Sequence, residues 1–236
     1  MSEYILIRHG QASFGKENYD QLSEIGKVHT YQLGQYLANN YIKIDKVYLG
    51  ALYRHLQTAN QIKLAYQEAS IRLPAFIVNP NLNEHHGPQV VRKYFDALKL
   101  KEGDEGEFAR NFNPKDKQHM SKYFKIFNDI TLRWAEGEIE DPAIQSWSDF
   151  RTQTKEALKT IMQDDKGGER ILIISSGGPV ASLTGEALSI SEKKIMGLAQ
   201  EIFNASFTKI LRSSDELSLK IFNKHVYTDK KLITLV

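Results

Sequence analysis

The chain has 236 residues, of which 41% are hydrophobic and 25% charged; this is the make-up of an ordinary globular protein and excludes a disordered or collagen-like one. Lys plus Arg number 31 against 29 Asp plus Glu, a net charge of +2, which gives no electrostatic reason to expect nucleic acid or an anionic membrane as partner. The sequence has no cysteine, so disulfides, thiolate nucleophiles, zinc–thiolate sites and iron–sulfur clusters are all excluded. Glu3 to Ile7 reads as a short buried strand, because its core is Tyr-Ile-Leu-Ile. This apolar run is too short for a secretory signal, which needs roughly 7–15 apolar residues. Nothing approaches the roughly 18 apolar residues of a membrane span, so no membrane partner and a cytoplasmic location are expected.

The strand runs into Arg8-His9-Gly10, and the polar stretch Gln11 to Gln21, with Gly15 in it, reads as a loop. A helix opens near Leu22-Ser23 with Ser23 as N-cap, and Val28, Tyr31, Leu33 and Leu37 recur at helical spacing to about Ala38. Ile44 to Leu49 reads as a second strand and Ala51 to Glu68 as a helix. Ala75 to Val78 is a third strand, closed by the turn-like Asn79-Pro80-Asn81. Alternating strand and helix is the pattern of βαβ units around a mostly parallel sheet.

From Gly87 to about Arg151 the pattern is helical without a convincing strand. Pro88–Leu100 and Pro114–Glu136 are expected helices, and the charged stretch Lys101–Glu107 between them an exposed loop. The block at about 87–150 therefore reads as a helical cap inserted into a single domain spanning 1–236, with a core that includes Tyr94, Phe95, Phe124, Phe127 and Trp134. The α/β pattern resumes with a helix over Trp147–Met162, a charged turn over Asp164–Glu169 and a strand over Arg170–Ser175. The continuous run Ile171-Leu172-Ile173-Ile174 suits a strand buried on both faces. Gly177-Gly178-Pro179 precedes a helix from about Val180 to Leu188, and Ser206–Leu211 and Leu217–Phe222 are two closing strands. The expected fold is a three-layer αβα sandwich with a mostly parallel central sheet.

Ligand sites in such sheets form beyond the carboxyl ends of the strands. Those ends carry Arg8-His9-Gly10 and Gly177-Gly178. Arg54 lies at the start of the helix after the second strand, and Glu84 six residues past the third. Two arginines suit an oxyanion such as phosphate, which a planar guanidinium holds bidentately. An imidazole beside them can serve as acid, base or nucleophile, and a carboxylate can protonate a leaving alkoxide. No metal is required, because guanidiniums can stabilise charge on phosphorus. Taken singly, Arg54 reads as an exposed helix arginine and Glu84 as a solvated loop carboxylate. Gathered at one sheet edge, the set matches phosphoryl transfer through a phosphohistidine.

Leu6-Ile7-Arg8-His9-Gly10-Gln11, Leu22-Ser23-Glu24-Ile25-Gly26, Leu52-Tyr53-Arg54-His55-Leu56-Gln57-Thr58-Ala59, Asn83-Glu84 and the Ile171–Gly178 strand and turn together resemble the motifs of the histidine phosphatase superfamily, the phosphoglycerate mutase-like proteins. The resemblance spans nearly the whole chain, with Gly87 to Asp149 as the variable region. It implies His9 as the phosphorylated nucleophile, Arg8 and Arg54 as the phosphoryl clamp and Glu84 as the proton donor. Gln11, Ser13 and Gly177 would lie near phosphate or substrate, and no cofactor is implied.

Four positions depart from the family pattern. His55 stands where a small residue is usual, and His29 where glutamine is frequent. Phe14-Gly15 occupies the stretch of a mutase-type asparagine. Ser176 stands where the pattern Ser-His-Gly carries a second catalytic histidine. Serine offers one short neutral donor in its place, and a lost preorganised donor costs on the order of 10²–10³ in rate. The chain is similar to a subset with Ser-Gly-Gly-Pro at this point and the opening Arg-His-Gly-Gln-Ala-Ser-Phe-Gly. His85 and His86 directly follow the acid and could restore the donor, although a polar loop pair is the plainer reading. The expected function is hydrolysis of a small phosphomonoester. The alternatives are a phosphate-binding or scaffold protein built on a degraded site and, less favoured, a mutase-type phosphotransferase.

Overall fold

A computed structural model describes residues 1–13, 20–41, 43–226 and 234; Gly15 and the Phe14-Gly15 departure lie outside them. The chain divides into two compact units, residues 1–84 with 153–236, and residues 85–152. Its strands are β1 (Ser2–Arg8), β2 (Lys46–Leu49), β3 (Phe76–Val78), β4 (Arg170–Ser175), β5 (Phe207–Ser213) and β6 (Glu216–Lys224). Its helices are α1 (Glu24–Asn40), α2 (Tyr53–Glu68), α3 (Gly87–Leu98), α4 (Asp104–Arg110), α5 (Lys117–Ala135), α6 (Trp147–Asp164), α7 (Gly177–Leu188) and α8 (Glu192–Glu201).

The first unit has the expected α/β architecture. The six strands among the described residues form one sheet in the order β3-β2-β4-β1-β5-β6. β3, β2, β4 and β1 run parallel, while β5 and β6 join antiparallel. The apolar run of β4 explains its central place, because Ile171 to Ile174 are fully buried, as a strand covered on both faces requires. Leu33 and Leu37 of α1 and Ile62 and Tyr66 of α2 pack into one core with Ile5, Ile7, Val47, Leu172, Ile174 and Phe207. Ser23 caps α1 as its sequence position predicts: its Oγ accepts the Gly26 N–H at 3.0 Å.

The second unit holds α3, α4, α5 and the first turns of α6, and no strand. Phe95, Leu98, Phe108 and Ala109 form its small core, with the Phe95 ring 5.3 Å from Tyr123 and 5.4 Å from Phe112. Here the expectation of a loop over Lys101–Glu107 is corrected: the chain turns helical at Asp104. Asp104, Glu105 and Glu107 in the first turn and Arg110 in the last complement the helix dipole, and burial of Phe108 anchors the turn. The charge that suggested solvent exposure is therefore helix-end charge.

Three further elements differ from expectation. α7 begins at Gly177 rather than Val180, so the two glycines are its first turn. α8 was not anticipated; it buries Ile195 and Met196 behind the helix-starting pair Ser191-Glu192. α2 starts at Tyr53, two residues later than expected. Among the described residues no helix is long and apolar enough to cross a membrane.

Candidate active site

Sheet register gathers the site within the first unit. Ile7 and Leu49 both align with Ile174 of β4, so three adjacent parallel strands end at one level. Beyond it the His9 N–H donates to the Ser175 carbonyl at 2.8 Å and the Gly50 N–H to the Ile174 carbonyl at 3.1 Å. His9 and Ser176 thus leave neighbouring strands side by side, and α2 returns Arg54 and His55 to the same place.

His9 is buried, and its hydrogen bonds fix its tautomer. Nδ1 lies 2.7 Å from the Gly10 carbonyl oxygen, which can only accept, so Nδ1 carries the proton. Nε2 accepts from Arg54 Nε at 3.0 Å. Burial, with Arg54 and Arg8 beside it, holds His9 well below the usual histidine range. The ring is therefore neutral, with an unprotonated Nε2 in the centre of the site.

Arg54 is the hub. Its Nε bonds His9, its Nη2 reaches Ser176 Oγ at 3.3 Å, and its Nη1 pairs with Asp20 Oδ1 at 2.9 Å. Asp20 Oδ2 also accepts the Tyr53 N–H at 2.8 Å. It supplies the N-terminal cap of α2, which Leu52 at the cap position does not. Sequence reasoning missed Asp20, because it sits 34 residues from Arg54 and belongs to no motif of the sequence.

Ser176 is fully buried. Its Oγ lies 2.8 Å from His55 Nε2, and the His55 ring centroid is 5.7 Å from that of His9. Burial, then Arg54, pushes His55 down to about 3. His55 and Ser176, two positions that the sequence sets apart from the pattern it resembles, thus meet in one hydrogen bond.

Arg8 Nη1 donates to the Ile202 carbonyl. Its side chain lies beside Gly177, where an added Cβ would come within 3.6 Å of Arg8 Nε and 3.3 Å of the Ala199 carbonyl oxygen. Glu84 Oε2 accepts the Gly178 N–H at 3.3 Å, at the amino end of α7. Gln11 supports the site from below: its side-chain Oε1 accepts from Ser23 Oγ at 2.9 Å and its carbonyl from Ser23 N at 2.9 Å. Ser13 is buried, with its N–H bonded to the Gln21 carbonyl at 2.8 Å.

Close backbone approach explains two glycines. A Cβ on Gly26 would stand 2.2 Å from the Gln11 carbonyl oxygen, and one on Gly10 2.4 Å from the Gly26 carbonyl oxygen. The loop after β1 lies directly on the first turn of α1. His29 is buried in α1, and burial lowers its proton affinity.

His85 belongs to the helical unit. Its ring sits 5.4 Å from Trp134 and 5.2 Å from Phe150, and its Nδ1 accepts the Gly87 N–H at 3.0 Å. His86 is exposed at the start of α3. The imidazole bonded to Ser176 is His55, not either of these.

The family model described as the histidine phosphatase superfamily (branch 1) matches residues 4–117 and 99–225. No curated protein sequence matches the chain. Among solved structures, a mycobacterial glucosyl-3-phosphoglycerate phosphatase is similar at 17% identity and TM-score 0.61, over 95% of this chain and 99% of that one. A phosphoserine phosphatase from Entamoeba histolytica is similar at 17% identity and TM-score 0.60, over 94% and 97%. A phosphoglycerate mutase from Bacillus anthracis is similar at 16% identity and TM-score 0.60, over 94% and 92%.

Proposed function

The chain belongs to the histidine phosphatase superfamily (branch 1), and from that premise we propose that it hydrolyses small phosphomonoesters through a phosphohistidine on His9. The observation that carries the reading is the neutral, buried His9, with its unprotonated Nε2 held against the Arg54 guanidinium. A histidine kept for packing alone has no need of an arginine on its basic nitrogen.

In the first step His9 Nε2 attacks phosphorus and the bond to the ester oxygen breaks. Arg8 and Arg54 balance charge on the phosphoryl oxygens, and Glu84 gives its proton to the departing alkoxide. In the second step a water attacks the phosphohistidine, its proton returns to the Glu84 carboxylate, and phosphate leaves with His9 neutral again. The Gly178 N–H, which Glu84 accepts, and the N–H of Gly177 stand at the start of α7, where the incoming anion binds. Gln11 and Ser13 line the approach less directly. The chain falls in the subset with serine in place of the second histidine, and no cofactor enters the steps.

A second reading is a phosphate-binding or scaffold protein, favoured only by Ser176. A mutase-type phosphotransferase needs a long-lived phosphoenzyme that returns its phosphoryl group to substrate, and no feature of residues 85–152 calls for it.

The test is hydrolysis of p-nitrophenyl phosphate from acid to neutral pH by the wild type beside His9→Ala. Turnover that vanishes in the variant supports a His9 phosphatase. Folded wild type no faster than the variant moves the assignment to a binding role.

A further inference from the structure

We infer that His55 is a positioning residue for this reaction: its Nε2–H holds Ser176 Oγ so that the Ser176 hydroxyl hydrogen points at the phosphoryl group on His9. The inference rests on the phosphatase reading. It adds an imidazole that acts from α2, through a serine, on the reacting group.

Ser176 Oγ has two polar contacts among the described residues. Arg54 Nη2 donates to it at 3.3 Å, and His55 Nε2 lies 2.8 Å away. A hydroxyl has one hydrogen and two lone pairs. Arg54 fills one lone pair. If His55 also donates, the second lone pair is filled and the hydroxyl hydrogen is left for a third partner. If His55 accepts, the hydrogen is used up and a lone pair faces the phosphoryl oxygens, which repel it. A bound phosphoryl group therefore selects the arrangement in which His55 donates.

The third partner is defined by Arg54. Its Nε and Nη2 form one edge of the guanidinium fork, and that edge holds His9 Nε2 and Ser176 Oγ together. A phosphoryl group on His9 Nε2 thus arrives next to the Ser176 hydroxyl.

The imidazole is suited to this use. It is fully buried and neutral, so it has one N–H to place on either nitrogen. On the far side Nδ1 meets the Gly50 backbone at a geometry short of a regular hydrogen bond. No hydrogen bond of full geometry there holds the proton on Nδ1 against its residing on Nε2. Gly50 is also the residue that leaves room for the ring, since a Cβ on it would lie 2.4 Å from His55 Nδ1.

A buried polar pair that only stabilises the fold would show the same contacts, so the experiment must separate the two roles. Steady-state kinetics with p-nitrophenyl phosphate are compared for wild type, His55→Phe, His55→Gln, Ser176→Ala and the double variant His55→Phe/Ser176→Ala, each with its thermal midpoint. The expected result is a kcat lowered about 10²–10³-fold in His55→Phe and in Ser176→Ala, the loss of one preorganised donor, with KM nearly unchanged. The double variant is expected to be no slower than the slower single one, because His55 acts through Ser176. His55→Gln keeps an N–H donor and is expected to recover part of the rate. The exchange His55→Ala/Ser176→His, which puts the imidazole on the other side of the same contact, is expected to exceed either single loss variant.

Wild-type kcat in folded His55→Phe or in Ser176→Ala, or losses that multiply in the double variant, would overturn the inference. If His55→Phe does not fold, His55→Gln and the exchange variant carry the comparison. If wild type itself is no faster than His9→Ala, the phosphatase reading fails on its own. The pair is then read from the imidazole ¹⁵N signals of His55 as inorganic phosphate is added. A proton moving to, or held on, Nε2 supports the inference; an unprotonated Nε2 at saturating phosphate, or ring signals that phosphate leaves unchanged with Nε2 unprotonated, overturns it.

Discussion

Removing Asp20 tests how Arg54 is aimed. Its Oδ2 caps α2 through the Tyr53 N–H at 2.8 Å, and its Oδ1 pairs with Arg54 Nη1 at 2.9 Å. Asp20→Ala loses both. An N-cap is worth about 0.5–2 kcal/mol. The ion pair adds only about 0.2–1 kcal/mol, because the Asp20 side chain is 36% exposed and partly screened. The sum is about 1–3 kcal/mol, or roughly 2–4 °C of thermal midpoint per kcal/mol for a protein of this size. The effect on rate should be larger than the charge alone implies. Arg54 holds His9 and Ser176 on its other edge, and misplacement of a positioning group by about 1 Å can cost on the order of 10²-fold. Asp20→Asn keeps an acceptor for the α2 cap and removes the charge, so it should retain most of the stability and lose part of the rate. The assay is p-nitrophenyl phosphate turnover with thermal unfolding of the same samples. Asp20→Ala with wild-type kcat would refute the reasoning, whatever its stability.

Three other outcomes follow from the same contacts. His9 and His55 are held below their unfolded value of about 6.5, so above that pH neither state is protonated. As pH falls below it the unfolded chain takes up protons that the native one refuses. Stability should then drop by up to about 1.4 kcal/mol per pH unit for each histidine, down to about 3 for His55; a thermal midpoint that is flat from pH 7 to 5 would contradict this. Gly26→Ala puts a Cβ 2.2 Å from the Gln11 carbonyl oxygen; backbone against backbone cannot be relieved by a rotamer, so a loss of about 1–3 kcal/mol is expected in denaturant titration. Glu84→Gln should slow alkyl phosphate hydrolysis far more than p-nitrophenyl phosphate hydrolysis, because a good leaving group needs no proton; equal losses would remove Glu84 from the donor role.

The parts of the fold that could be read from sequence are those set by local pattern. Ile171 to Ile174 announce a strand with two covered faces, and Ser23 announces a helix start. Of the candidate site, the parts legible in the sequence are those beside strand ends, at Arg8-His9 and at Gly177-Gly178, which open α7. Charge misled at Asp104–Glu107, where helix-end carboxylates imitate a solvated loop, and the pair Ser191-Glu192 was the one local sign of α8. Asp20 and the His55–Ser176 bond could not be read, because each depends on groups far apart in sequence that the tertiary fold brings together. Ser176 and His55 are 121 residues apart, and each alone was visible only as a departure from a pattern.

The most direct test is a rapid-quench reaction with a labelled phosphomonoester, followed by mass analysis of the intact protein and its peptides under conditions that preserve phosphohistidine. The expected result is one phosphoryl group per chain on His9, formed and lost at rates consistent with turnover and absent in His9→Ala. Turnover without any phosphorylated histidine, or a phosphoryl group on a residue other than His9, would contradict it.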